Sequence, residues 1–149
     1  MIKTVPFHSE HLKLMDMRQY EWEKVYPYIP QGLLDYYASL GHAYTFLEDG
    51  KIITCLGWVP VWEGVWDIWQ IPSTYMISHK IEYVKMLKDF LVTYARKLNV
   101  HRAQTRSIAD EFHDAYMVLL GFTCEGTLCE YSQFKEDYRM WSRRFTWEA

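Results

Sequence analysis

The chain has 149 residues, of which 50% are hydrophobic and 23% charged, with a formal net charge of −3. That is the length and composition of one globular domain, here 1–149, not of a disordered chain, and 16 basic against 19 acidic residues exclude a strongly basic nucleic-acid binder. The charge-free run Ile52 to Trp62 is far short of the ~20 residues that span a bilayer, and the start, Met1-Ile-Lys-Thr-Val-Pro6, lacks the layout of a signal peptide, so a cytoplasmic protein without a membrane partner is expected.

Ile2 to Phe7 reads as a short strand. His8 to Tyr20 reads as a helix, with Ser9 as N-cap and Leu12 and Met15 at helical spacing. Pro27 and Pro30 interrupt the next stretch, and Gln31 to Leu40 forms a second short helix closed by Gly41. Three strands follow, Ala43 to Leu47, Lys51 to Trp62 and Val65 to Ile71, rich in β-branched and aromatic residues. Asp49-Gly50 and Glu63-Gly64 sit between them, which makes an antiparallel meander. The middle strand is apolar on both alternating faces and is expected to be covered on both.

From Ser78 to Leu98 the period changes: Val84, Leu87, Leu91, Ala95 and Leu98 step by three and four, giving an amphipathic helix. Val100 to Thr105 is a strand, which the crossover makes parallel to residues 65–71. Ser107-Ile-Ala-Asp110 resembles a capping box and opens a helix with Phe112, Ala115, Tyr116 and Leu119 on one face, ended by Gly121. Thr123 to Phe134 and Tyr138 to Trp147 are the last strands. The fold class is therefore α/β (α+β), a mixed, mostly antiparallel sheet with helices on both faces, in the order βααβββαβαββ.

Two features point to no chemistry. Cys55, Cys124 and Cys129 are too sparse for a disulfide framework or a zinc knuckle and read as reduced thiols. His8 and His11 stand at i and i+3, but no further ligand motif accompanies them, and metal binding is not expected. The aromatic fraction, 17%, stays ambiguous between core, ligand groove and partner surface; Trp58, Trp62, Trp66 and Trp69 on neighbouring strands read first as cross-strand packing. Arg139, Arg143 and Arg144 have acidic neighbours, so a salt-bridged strand accounts for them better than nucleic acid does.

The element order, together with Leu119-Leu-Gly121-Phe122 closing the last helix before a strand carrying Glu125-Gly126, resembles the GNAT superfamily of acyl-CoA-dependent N-acyltransferases. A closer resemblance is to GNAT-like small internal virion proteins of short-tailed lytic bacteriophages. It rests on a Trp-rich strand, a Ser/Thr loop without glycines, a basic helix and a helix ending in Leu-Gly. The first resemblance implies acetyl transfer from acetyl-CoA to an amine. The second implies a non-catalytic protein of virion assembly or host-protein binding, in the host cytoplasm or the virion, with virion or homo-oligomeric partners.

If the first holds, the cofactor would lie against Gln70, Ile71 and Pro72 at the strand end and against Ser73, Thr74, Ser78 and His79 in the loop, with Lys80 beside them. Exposed amides at a helix start bind anions. The chain has no glycine between Gly64 and Gly121, where the family carries a Gly-rich turn. Ser78 reads first as an N-cap, and Asp110, at the place of a family Asn, as a cap rather than a ligand. Asp67, a carboxylate in mid-strand, is the candidate general base or a salt-bridge partner. Glu63 and His113 read as surface groups. The family's thiolate-protonating Tyr falls at Met117. Tyr116, the candidate acid, stands one residue away, about 100° around the helix and toward the core.

Overall fold

The computed structural model describes residues 1–78 and 81–148. Seven strands, β1 (Ile2–Pro6), β2 (Ala43–Glu48), β3 (Lys51–Trp62), β4 (Val65–Pro72), β5 (Arg102–Ile108), β6 (Thr123–Leu128) and β7 (Tyr138–Arg144), form one sheet in the order β1-β2-β3-β4-β5-β7-β6. The β1–β2, β2–β3, β5–β7 and β6–β7 pairings are antiparallel and β4–β5 is parallel, the mixed and mostly antiparallel α/β class expected. The helices are α1 (His11–Leu14), α2 (Leu33–Ser39), α3 (Thr74–Ser78), α4 (Ile81–Lys97) and α5 (Glu111–Leu119), with a π-helical turn Glu21–Val25 and a 3₁₀ turn Tyr26–Tyr28 after α1. No helix among the described residues is long and apolar enough to cross a membrane.

The chain divides into two compact units, Met1–Val59 with Ile68–Lys80, and Pro60–Asp67 with Ile81–Ala149. In the first, the Asp49-Gly50 turn has positive φ at both residues, 51° and 77°, the type I′ geometry that suits the twist of a hairpin. Every residue from Ile52 to Trp58 is buried, so β3 is covered on both faces as its composition requires. Its core joins Phe7, Leu12, Met15, Ala43, Ile52, Cys55 and Ile71.

The helix expected over His8 to Tyr20 is cut to four residues. Met15 turns extended, Met17 bridges Ser73, and the Asp16 carbonyl and carboxylate take Thr74 N–H (2.9 Å) and Oγ1–H (3.0 Å). These long-range bonds outcompete the helical ones over 15–18. Ser9 is not the cap either, since Glu10 holds that position with no side-chain bond.

In the second unit α4 buries Tyr83, Leu87, Leu91, Tyr94 and Ala95, while Val84 and Leu98 are half-buried. Gly64 (φ 79°) turns β3 into β4 with its Cα against the His101 ring. Ser107 belongs to β5, not to a capping box; its hydroxyl accepts the Trp141 indole N–H at 2.9 Å. Asp110 is itself the N-cap, accepting His113 N–H at 2.7 Å.

The buried stripe of α5 also differs from expectation. Met117 and Leu120 are buried, while Phe112, Ala115 and Leu119 face outward. Arg139 Nε of β7 donates to both Asp114 oxygens at 2.9 and 3.1 Å, and Asp114 lies on the same i+3 stripe as Met117 and Leu120.

Candidate functional site

The strand end expected to hold an acyl carrier is built inward. Gln70 Nε2 donates to Thr54 Oγ1 (3.0 Å), and Thr54 in turn reaches the Ile71 carbonyl (3.3 Å). Ser73 is fully buried; its N–H goes to the Ile53 carbonyl (2.9 Å) and its hydroxyl accepts Met76 N–H (3.4 Å). Thr74 gives N–H and O–H to Asp16, as above, and Pro72 has no N–H. His79, Lys80 and the Ser78 side chain lie outside the described residues. Asp110, expected as cofactor ligand or cap, caps α5 and also meets His113 Nδ1 at 2.7 Å.

Among the described residues, the donors of Ser73, Thr74 and Met76 are not open to a diphosphate. The amides of Ser73, Thr74 and Met76 already have acceptors inside the protein. The Asp16 carboxylate adds a negative charge beside them, and like charges repel.

The second unit assembles a polar row across β4, β5, β7 and β6. Alternate residues share a sheet face. The register sets Asp67 opposite Gln104, Gln104 opposite Ser142 and Ser142 opposite Thr123. Gln104 Nε2 donates to Asp67 Oδ1 at 2.7 Å and Gln104 Oε1 accepts Arg102 Nε–H at 2.9 Å. Arg102 forks onto Glu125 with 2.8 and 2.6 Å bonds, and Ser142 Oγ–H adds a third to Glu125 at 2.7 Å.

Glu125 is the extra residue of a β-bulge between Cys124 and Gly126, which aims it at the row. The Arg102 and Ser142 bonds hold its carboxyl down at about 2, and Glu125 raises the Arg102 guanidinium pKa in return. Arg106, two residues beyond Gln104 on the same face, approaches Asp67 Oδ2 at 3.7 Å. Asp67 is therefore both half-exposed and paired.

Tyr116 is half-buried and Met117 is the core residue, so the rotation assigned to Tyr116 belongs to its neighbour. Trp58 and Trp69 lie in the first unit and Trp62 and Trp66 in the second, with Trp69 packed edge-on to Phe7 at 5.1 Å. His11 Nδ1 meets Thr45 Oγ1 at 2.8 Å, and burial with the His8 charge lowers its pKa. Cys55 is buried, which pushes its thiol up to about 12. Among the described residues no group of three or more His, Cys, Asp or Glu is placed to hold a metal.

Arg102, Gln104 and Arg106 belong to no motif in the sequence. Their polar side chains at period two on a strand flanked by Ala103 were the available signal. The Arg18–Glu21 ion pair likewise has no motif in the sequence; Glu21 is buried and its Oε2 has no hydrogen-bond partner among the described residues.

No family model matches the sequence, and no curated protein is similar to it. The fold does have counterparts. Ard1 from Thermoplasma volcanium superposes with a TM-score of 0.79 at 11% identity, over 98% of this chain and 99% of its own. An acetyltransferase of the GNAT family from Streptococcus pneumoniae gives 0.74 at 11%, over 98% and 100%. The Salmonella typhimurium yncA structure, solved with its cofactor acetyl-CoA, gives 0.72 at 11%, over 99% and 96%. At such identities the likeness is one of backbone course, and the chain has the fold of the GNAT acetyltransferases.

Proposed function

We propose that the chain is a non-catalytic binding protein on the acetyltransferase fold, serving virion assembly or host-protein binding in the host cytoplasm or the particle. The observation behind this reading is the turn after β4. Its amides at Ser73, Thr74 and Met76 and its Thr74 hydroxyl are engaged by Ile53, Asp16 and Ser73. An anion site needs such donors unengaged and aimed outward.

The test is thermal unfolding of the full chain with acetyl-CoA at millimolar concentration. A ligand at 100 times its Kd stabilises by about 2.7 kcal/mol. The expected result is an unchanged midpoint, and a rise of several degrees would overturn the reading. Mass spectrometry of purified particles tests the virion location, where absence of the chain counts against it.

A second reading, an N-acyltransferase using acetyl-CoA on an amine, has one observation in its favour. Asp67 is half-exposed at the last pair of the parallel β4–β5 ladder, which covers only Val65–Arg102, Trp66–Ala103 and Asp67–Gln104. There Asp67 would take the proton of the acceptor ammonium, whose pKa of ~10.4 keeps it charged at neutrality. Transfer abolished by Asp67→Asn supports this reading; unchanged turnover clears Asp67.

A further inference from the structure

Two arginines share one face of β5 and are used in different ways. Arg102 is fully engaged, with its fork on Glu125 and its Nε–H on Gln104. Arg106 makes no side-chain hydrogen bond among the described residues; its one polar contact is Asp67 Oδ2 at 3.7 Å, too long for a hydrogen bond. Its five N–H donors therefore remain available, although two thirds of the side chain is buried, at 32% exposure. Asp67 is in the matching state, with Oδ1 taken by Gln104 and Oδ2 facing Arg106 across that gap. A cation and an anion are thus held side by side as an ion pair without a direct hydrogen bond, near enough to share one ligand.

We propose that Asp67 and Arg106 form a binding site for a free α-amino acid, the ammonium on Asp67 Oδ2 and the carboxylate on the Arg106 fork. A guanidinium matches a carboxylate bidentately. The ammonium nitrogen and carboxylate oxygens of an α-amino acid lie about 3 Å apart by ordinary bond lengths, which suits charges 3.7 Å apart. The pair discriminates by repulsion as well as attraction. A bare anion meets Asp67 and a bare amine meets Arg106, so only a ligand carrying both charges is favoured. Half-buried Met140 stands opposite Arg106 in the β5–β7 register, and half-buried Ile108 is next on that face. Both favour an apolar side chain. The site lies wholly in the second unit and goes beyond the scaffold reading, since it requires neither acyl transfer nor a thioester.

Isothermal titration of the full chain, with no acetyl-CoA present, compares L-phenylalanine, its methyl ester and phenethylamine. The amino acid binds, and each analogue binds at least about tenfold more weakly, as expected for loss of a charge-assisted pair. Arg106→Met drops the amino acid to the level of its ester, and Arg106→Lys, which keeps charge without the fork, recovers part of the loss. Asp67→Asn weakens the amino acid by a similar factor and provides an independent check should Arg106→Met melt early. The proposal is overturned if the ester binds as tightly as the acid, if Arg106→Met binds the amino acid like the native chain, or if no binding is seen up to about 10 mM.

Discussion

Gly57 sits mid-strand in β3 and has a neighbour that a methyl group would strike. A Cβ built on it falls 2.6 Å from Trp69 Cε2 and 2.8 Å from Cζ2, and closer still to Nε1. Real Cβ atoms do not approach so closely, so Gly57→Ala must displace the indole. The ring has little freedom to move. It is edge-on to Phe7 at 5.1 Å, stacked on Tyr37 at 5.9 Å, and packed against the core of Leu12, Ala43 and Ile71. Overpacking of this kind costs about 1–3 kcal/mol. At 2–4 °C per kcal/mol for a chain of this size, the midpoint should fall by roughly 2–12 °C. The assay is thermal unfolding by circular dichroism, alone and with Trp69→Phe. The smaller ring vacates the clashing position and removes Nε1, a buried donor with no acceptor among the described residues. The double variant should therefore lose less than the sum of the singles, a coupling that a cycle measures directly. A Gly57→Ala midpoint equal to or above the native one, or strictly additive losses, would show that the indole is not wedged against β3.

Three further outcomes follow from charge and burial. Glu125 titrates at about 2 when folded against an ordinary 4.5, so the unfolded chain binds the extra proton in between. The stability it contributes is complete above 4.5 and is lost as pH falls toward 2; Glu125→Gln should flatten that part of the acid limb, and an unchanged limb refutes the pairing. His11 has its folded pKa lowered from 6.5, mainly by burial and then by His8, so stability falls as pH drops below the unfolded value. The midpoint of His11→Asn should fall less than the native one between about pH 7.5 and 5.5; equal falls argue against this. Cys55 is buried with its thiol pushed up to about 12, whereas Cys124 and Cys129 are exposed. A thiol reagent at neutral pH should therefore label Cys124 and Cys129 quickly and Cys55 only on unfolding, and rapid labelling of Cys55 would show an open core.

Local chemistry was legible wherever it stayed local. Asp49-Gly50 announced a hairpin because both residues must take positive φ, and the Leu87, Leu91 and Ala95 steps announced α4 because a helix repeats every 3.6 residues. What the sequence could not show was set by contacts between distant residues. Helical spacing favoured a helix through Tyr20, yet Asp16 and Met17 bond to Thr74 and Ser73, 58 and 56 positions away. The outward face of α5 was misjudged for the same reason. Phe112, Ala115 and Leu119 have the composition of a core stripe, yet Met117 and Leu120 are the buried pair, on the stripe whose Asp114 bonds Arg139 of β7. Asp67 was singled out as an oddity in an aromatic strand, but its partners came from a strand whose alternation looked like ordinary solvent exposure.

The two candidate sites differ in where their polar groups point, and that difference carries more weight than the fold they share with acetyltransferases. In the turn after β4, the described donors that a ligand would need are closed by acceptors from residues 16, 53 and 73, so an anion that used them all must first break four hydrogen bonds. Each is worth roughly 1 kcal/mol net, and more if its partner is left buried and unpaired. Beside Asp67 the competition is weaker, since Oδ2 meets Arg106 only at 3.7 Å. The Arg106 fork makes no side-chain hydrogen bond among the described residues, so a ligand there competes only with the 3.7 Å ion pair to Asp67. Affinity on this chain is therefore expected on the open row of the second unit rather than at the strand end, whichever reading of its chemistry survives the acetyl-CoA titration.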